Sequence, residues 1–255
     1  MNQDPEDQII LIDKPTGISS FGVVAKVRGF LKAKYGHKVK VGHTGTLDPF
    51  ATGLLIILSG KMTKKSNDFL KLDKVYEATM KLGYTSTTGD PEGEIREYIP
   101  TQFDYSSSPL RSRPSSLGSL ASCSPSITNT PKNNLIEPDL HNIESTLTKF
   151  TGKITQTPPK YSAIKINGQR AYKLARQNKD FEIPSRQVEI YKIEILDYHY
   201  PELTIRCHVS SGTYIRTLAE DIGNALNTGA YLTKLRRLQI GQYNIKDSQS
   251  LTNLL

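Results

Sequence analysis

Gly42-His43-Thr44-Gly45-Thr46-Leu47-Asp48-Pro49, followed closely by Leu54-Leu55-Ile56-Ile57-Leu58, is the stretch on which the reading of this chain turns. The second run is a short apolar block of buried-strand length. The first is a small polar loop whose glycines permit sharp bends and close approach of a ligand to the backbone. Asp48 precedes Pro49, so its backbone is biased towards extended conformations and away from helix. A rigid strand behind a tight loop is a good mount for a reactive side chain. Taken alone, the same residues equally describe a surface Asp-Pro turn ahead of a core strand.

Outward from the loop, strands and helices alternate irregularly. Ile9 to Ile12 reads as a strand ended by the turn Asp13-Lys14-Pro15-Thr16-Gly17. Ser19 or Ser20 caps a helix with the stripe Phe21, Val24, Val27 and Leu31, and Gly36 lies beyond its end. Lys61 to Leu70 reads as a short helix. Lys74 to Leu82 alternates, with Tyr76, Ala78, Met80 and Leu82 on one side. A helix is expected around Leu140 to Phe150, ended at Gly152. Asn167-Gly168 signals a hairpin, and Arg170 to Gln177 a short helix. Val188 to Tyr198 and Leu203 to Val209 read as strands around Pro201. Ser211 to Leu226 reads as a helix with the stripe Ile215, Leu218, Ile222 and Leu226, Leu235 to Tyr243 as a strand, and Ser248 to Leu255 as a final helix. Without regular βα repetition, the expected class is α+β, a mostly antiparallel mixed sheet flanked by helices. Residues 104–138, rich in Ser and Pro, read as a disordered insertion in a single domain spanning 1–255.

The 255 residues suffice for a sizeable core, and 36% are hydrophobic. No run approaches the ~20 apolar residues that cross a bilayer, and Met1 to Asp7 is acidic and polar, unlike a secretory signal. The only cysteines, Cys123 and Cys207, suggest neither a disulfide framework nor a metal site. The expected compartment is the cytoplasm. The net charge of +8 points towards a polyanionic partner. Lys26, Arg28, Lys32, Lys34, Lys38 and Lys40 lead into the Asp48 loop, and Lys61, Lys64 and Lys65 follow the strand after it.

No HExxH, CxxC or DxD-type cluster and no phosphate-binding glycine loop occurs, so neither metal nor nucleotide cofactor is expected. There is no GxSxG nucleophile elbow. Thr44-Gly45-Thr46-Leu47 superficially resembles the phosphorylation loop of ion pumps. Those carry their aspartate two positions before the first threonine, where this chain has Gly42.

Six motifs occur together in one order: Lys14-Pro15-Thr16-Gly17-Ile18-Ser19-Ser20; Gly42 to Pro49 through Gly53-Leu54-Leu55; Lys74-Val75-Tyr76; Pro158-Pro159-Lys160-Tyr161-Ser162-Ala163-Ile164-Lys165; Gly212-Thr213-Tyr214-Ile215-Arg216-Thr217-Leu218; and Leu235-Arg236-Arg237-Leu238. In that order they resemble the TruB-type tRNA pseudouridine synthases, from about residue 9 to the end apart from 104–138. The resemblance implies the pseudouridine synthase fold and conversion of the T-arm loop uridine of tRNA to pseudouridine without cofactor. By the same resemblance Asp48 is the catalytic aspartate, Tyr76 the active-site tyrosine and Arg216 the arginine paired with the aspartate. His43, Tyr214 and Leu235 would hold the flipped nucleotide. Lys165 reads as a structural residue or a weak RNA contact, and is counted with the substrate-binding residues. Read without the resemblance, Tyr76 and Leu235 are core residues and Arg216 a surface ion-pair partner. The bacterial form usually carries a C-terminal PUA domain, and this chain stops where that domain would begin. Longer relatives work with guide RNA and partner proteins, whereas a stand-alone monomer is expected here.

The residue types suit the chemistry. A carboxylate can attack C1′ or take a proton at C2′, and the sequence does not choose between these routes. An arginine beside it would orient it and lower its pKa. A tyrosine can stack on uracil and accept the C5 proton. Two alternatives stand beside the synthase: an RNA-binding protein or chaperone of the tRNA elbow, and a synthase of ribosomal or messenger RNA.

Overall fold

The computed structural model describes residues 4–100, 137–166, 168–177 and 179–254. The segment expected to be disordered lies outside the described residues up to 136. Its last two residues are ordered, against expectation: Pro138 is buried and its carbonyl accepts a hydrogen bond from the Tyr198 hydroxyl.

The apolar run after the Asp48 loop is β3 (Thr52–Ser59), buried along nearly its whole length. Leu55 and Ile57 join a cluster with Ile10, Ile12, Val24 and Val27, while Leu54, Ile56 and Leu58 join another with Phe69 and Ile240. Both faces are covered, so the strand has no polar side and its sequence does not alternate. β1 (Ile9–Lys14) pairs with it antiparallel. β12 (Ala230–Ile240) meets it in a short parallel contact, Arg236 opposite Thr52 and Arg237 opposite Gly53.

That contact requires a glycine. Gly53 has φ +104°, and a Cβ there would lie 2.3 Å from the Arg237 carbonyl oxygen. Gly53→Ala is expected to cost more than about 2 kcal/mol, from strained backbone and the separation of β3 from β12. A melting temperature equal to that of the native protein would contradict this.

The main sheet runs on from β12 through β4 (Lys74–Leu82), β11 (Glu202–Val209) and β10 (Arg186–His199) to β7 (Gly152–Gln156) at one edge; β14 (Gln249–Ser250) forms the other edge beside β1. β2 (Val41–His43) pairs with β3, and β13 (Tyr243–Asn244) with β12. Among the described residues only β1/β14 and β3/β12 are parallel, so the sheet is mixed and mostly antiparallel, as expected. Two small hairpins lie apart from it: β5 (Tyr84–Ser86) with β6 (Ile95–Glu97), and β8 (Lys165–Ile166) with β9 (Gln169–Arg170).

Six helices accompany the strands. α1 (Ser20–Tyr35) begins at Ser19, whose side chain accepts from the Gly22 N–H, and ends at left-handed Gly36. Its buried stripe is Val23, Val24, Val27 and Leu31; Phe21, expected inside, is 66% exposed. At the first turn Ser20 is the residue turned inward, because it binds the Asp48 loop. α5 (Ile215–Ala225) and α3 (Leu140–Lys149) pack on a third cluster containing Ala78, Met80, Ile205 and Leu232. α2 (Ser66–Leu70), α4 (Ala171–Arg176) and α6 (Leu251–Leu254) are short.

Several boundaries differ from expectation. Residues 60–65 form a 3-10 turn ahead of α2 rather than one helix from Lys61. β12 starts at Ala230, not Leu235. α5 starts at Ile215, because Ser211 to Thr213 form the turn that leads into it. Gly152 opens β7 instead of merely ending a helix. Gln249 and Ser250 pair with β1, which leaves α6 only one turn. Among the described residues no helix is long and apolar enough to cross a membrane.

Candidate active site

The Asp48 loop is tied down on both sides of the aspartate. On the near side the Ser20 hydroxyl accepts from the Leu47 N–H at 2.8 Å and donates to the Leu47 carbonyl at 2.9 Å. On the far side the Gly17 N–H and the Lys14 ammonium both donate to the Pro49 carbonyl, at 2.9 and 3.2 Å. The buried Lys14 ammonium also donates to the carbonyls of Pro15 and Ile18. The turn between β1 and α1 is therefore the brace of the aspartate.

Arg216, in the first turn of α5, meets Asp48 from the other side. It is 4% exposed. Its Nε lies 3.0 Å from Asp48 Oδ2 and its Nη2 3.4 Å from Oδ1. Nη2 also donates to the Tyr161 carbonyl at 2.9 Å; Nη1 donates to the Thr88 carbonyl at 2.9 Å and to Asp90 Oδ2 at 3.2 Å. The surface ion pair read from sequence alone is thus a buried one, and it links four chain segments.

Asp90 is an acid that sequence reasoning missed. It is 3% exposed and its second oxygen accepts from the Thr88 hydroxyl and the Glu92 N–H. Its only advance signal was the Gly89-Asp90-Pro91 turn, which any loop can carry.

Asp48 and Arg216 form part of the wall of an open cavity of about 820 Å³. Tyr76, Tyr214 and Leu235 also line it, on β4, at the start of α5 and on β12 respectively. Tyr214 is held through its backbone, which exchanges two hydrogen bonds with the Gln156 amide, and the Arg186 guanidinium lies 4.9 Å from its ring centre. His43, on β2, and Lys165, on β8, are outside the lining. His43 is held below the usual histidine range, by burial first and by Arg237 and Arg170 next.

The pKa of Asp48 departs from expectation. The arginine does pull its pKa down, yet burial pushes it up by more, so the carboxyl stands above the usual aspartate value. Asp90 reinforces the rise; Lys14 and Arg237 oppose it. The side chain remains 32% exposed, open towards the cavity. A carboxylate held by one guanidinium in a recess with two tyrosines can act as nucleophile or base on a ring stacked beside it. Cys207 stands opposite Tyr76 in the β4–β11 pairing, fully buried, its thiol pushed up to about 12 by burial, and is not part of the cavity lining.

The fold and the site together are a mixed, mostly antiparallel sheet with a recessed aspartate–arginine pair at an open cavity. A chain in the crystal structure of a Cbf5–Nop10–Gar1 complex superposes with a TM-score of 0.61 at 26% identity, covering 97% of this chain and 53% of that one. A chain in a structure of an H/ACA RNP bound to a substrate RNA containing 2′-deoxyuridine shares the fold, with a TM-score of 0.59 at 22% identity, covering 98% and 58%. Two family models match: TruB family pseudouridylate synthase (N terminal domain), over residues 30–117 and 119–215, and tRNA pseudouridylate synthase B C-terminal domain, over 216–255. The chain belongs to the TruB family of pseudouridylate synthases. It is 39% identical over 248 residues to a tRNA pseudouridine synthase B of Burkholderia lata, covering 97% of this chain and 65% of that protein. It is 40% identical over 247 residues to one of Phocaeicola vulgatus, covering 96% and 91%.

Proposed function

We propose that this chain isomerises a uridine in the T-arm loop of tRNA to pseudouridine. The observation that carries the reading is the Asp48–Arg216 pair, fixed from both sides, in a cavity shared with Tyr76. The reaction breaks N1–C1′, turns the base, forms C5–C1′, removes the C5 proton and returns a proton to N1. Asp48 attacks C1′ or takes the C2′ proton. Tyr76 stacks on uracil and receives the C5 proton. Tyr214 and Leu235 hold the nucleotide after it leaves the stacked loop, a step that costs a few kcal/mol. His43 and Lys165 act outside the cavity, on the RNA around it. The enzyme works as a cytoplasmic monomer with one catalytic domain, and without guide RNA.

The test is tritium release from uridine C5 in a T-arm hairpin. Release from the hairpin, and not from unrelated stem-loops, supports the reading; no release by native protein from well-folded tRNA overturns it. Binding is expected to weaken with salt, by about 0.7 to 0.9 in log affinity per log salt for each phosphate contacted. Filter binding across 50–200 mM salt measures this, and a flat response would contradict a polyanionic substrate.

A further inference from the structure

Three cations are buried with no carboxylate oxygen within 4.0 Å among the described residues: Lys14, Lys74 and Arg237. A buried charge is expensive to desolvate and is ordinarily paired. Both lysines sense the Arg237 charge. Burial pulls both lysines down to about 8, and the Arg237 charge contributes to each shift. An anion placed among them would relieve that repulsion.

Lys14 is bonded to three main-chain carbonyls, as described, which uses all its donors, and Lys74 donates to those of Leu70 and Leu72 and keeps one N–H. Arg237 is the one that is bonded to the Asp48 loop and stands opposite Tyr76. Arg237 is 1% exposed; its Nε donates to the Leu54 carbonyl at 2.8 Å and its Nη2 to the Gly45 carbonyl at 3.1 Å. Those two bonds hold the guanidinium against β3 and the Asp48 loop, and leave Nη1 for a further acceptor. Arg237 lines the cavity. It also stands directly opposite Tyr76 in the β4–β12 pairing, so the two side chains share a face of the sheet.

The proposed isomerisation produces an anion at this place. When N1–C1′ breaks, the bonding pair stays with the base, whether Asp48 has bonded to C1′ or has taken the C2′ proton. The detached uracil carries that charge on N1, O2 and O4 until C5 bonds to C1′. A fixed donor aimed at charge that develops during a reaction, in a site poor in water, stabilises it strongly. Resting on the function proposed above, we infer that Arg237 donates to a carbonyl oxygen of the departing uracil and stabilises the uracil anion. Lys14 and Lys74 add positive field without touching the base.

The test compares two leaving groups. Single-turnover loss of the N1-linked nucleoside is measured, by chromatography of the digested RNA, on T-arm RNA carrying uridine or 5-fluorouridine at the target, the latter having no C5 proton to lose and keeping its fluorine on the base, for native protein, Arg237→Lys and Arg237→Met. Fluorine withdraws electrons and makes uracil a better leaving group, less dependent on a cation. Arg237→Met is expected to lose about 10²–10³-fold on uridine and at least tenfold less on 5-fluorouridine. Arg237→Lys keeps the charge and is expected to lose less than Arg237→Met on uridine. RNA affinity and melting temperature, followed alongside, report any structural damage. Equal loss on both bases, or no loss at all, overturns the inference. If Arg237→Met does not fold, Arg237→Lys on the two bases decides by the same criterion. Absence of pseudouridine with native protein would instead sink the function on which the inference rests.

Discussion

Asp48→Asn is expected to abolish pseudouridine formation, by on the order of 10⁴-fold, while melting no earlier than the native protein. The two halves of this result have one cause. Burial raises the Asp48 pKa above its unfolded value, so the fold prefers the neutral form. A carboxyl with a raised folded pKa contributes stability below its unfolded pKa and loses that contribution as pH rises through the folded value. At neutral pH the ionised group is therefore a cost to the fold, and asparagine removes it. Arg216 is not left alone by the change, because Asp90 remains at 3.2 Å. Active sites commonly hold destabilising groups in this way. The same shift sets the pH dependence: if the carboxylate is the working form, the rate falls on the acid side from a pH above the ordinary aspartate range. Calorimetric melting with tritium release from pH 4 to 8 measures both. A large drop in melting temperature for Asp48→Asn, or activity retained by it, would contradict the account.

Arg216→Met is expected to damage fold and activity together. Removing the guanidinium leaves Asp90 buried and unpaired, and leaves the carbonyls of Thr88 and Tyr161 without their donor. Breaking a buried pair by deleting one partner typically costs 3–5 kcal/mol, roughly the expectation here. Arg216→Lys keeps the charge, but a single ammonium cannot reach acceptors spread over three segments, and an intermediate loss is expected. Urea unfolding of the three proteins at pH 7 provides the check. Native stability in Arg216→Met would contradict the account of the buried pair.

The contrast between Asp48 and Asp90 explains how far the site could be read in advance. Asp48 sits in a loop of unusual composition next to a strand of unmistakable apolarity, and its motif extends over several specific residues. Asp90 sits in an ordinary turn. It matters because the path of the chain after β5 brings it against the first turn of α5, 126 residues later in sequence. Arg237 behaves similarly. Its neighbours in sequence are another arginine and a leucine, while its function comes from facing Tyr76 across a strand pair and from the glycine that lets β3 approach. Phe21 failed in the opposite direction. Helical spacing placed it on the apolar stripe, but a bond to the Asp48 loop took the inward position for Ser20.

The sequence by itself determined the class of the fold, the main strands and helices, the family, and the candidates Asp48, Tyr76 and Arg216. Those features depend on local periodicity, turn residues and contiguous motifs, which a linear chain carries in full. Only the tertiary structure decided that Arg216 is buried, that Asp90 shares it, that Asp48 rises rather than falls in pKa, and that Arg237 is buried against main-chain carbonyls. Each of these depends on which distant segments exclude water from a charge, and desolvation is a property of the assembled surroundings, not of neighbours in sequence.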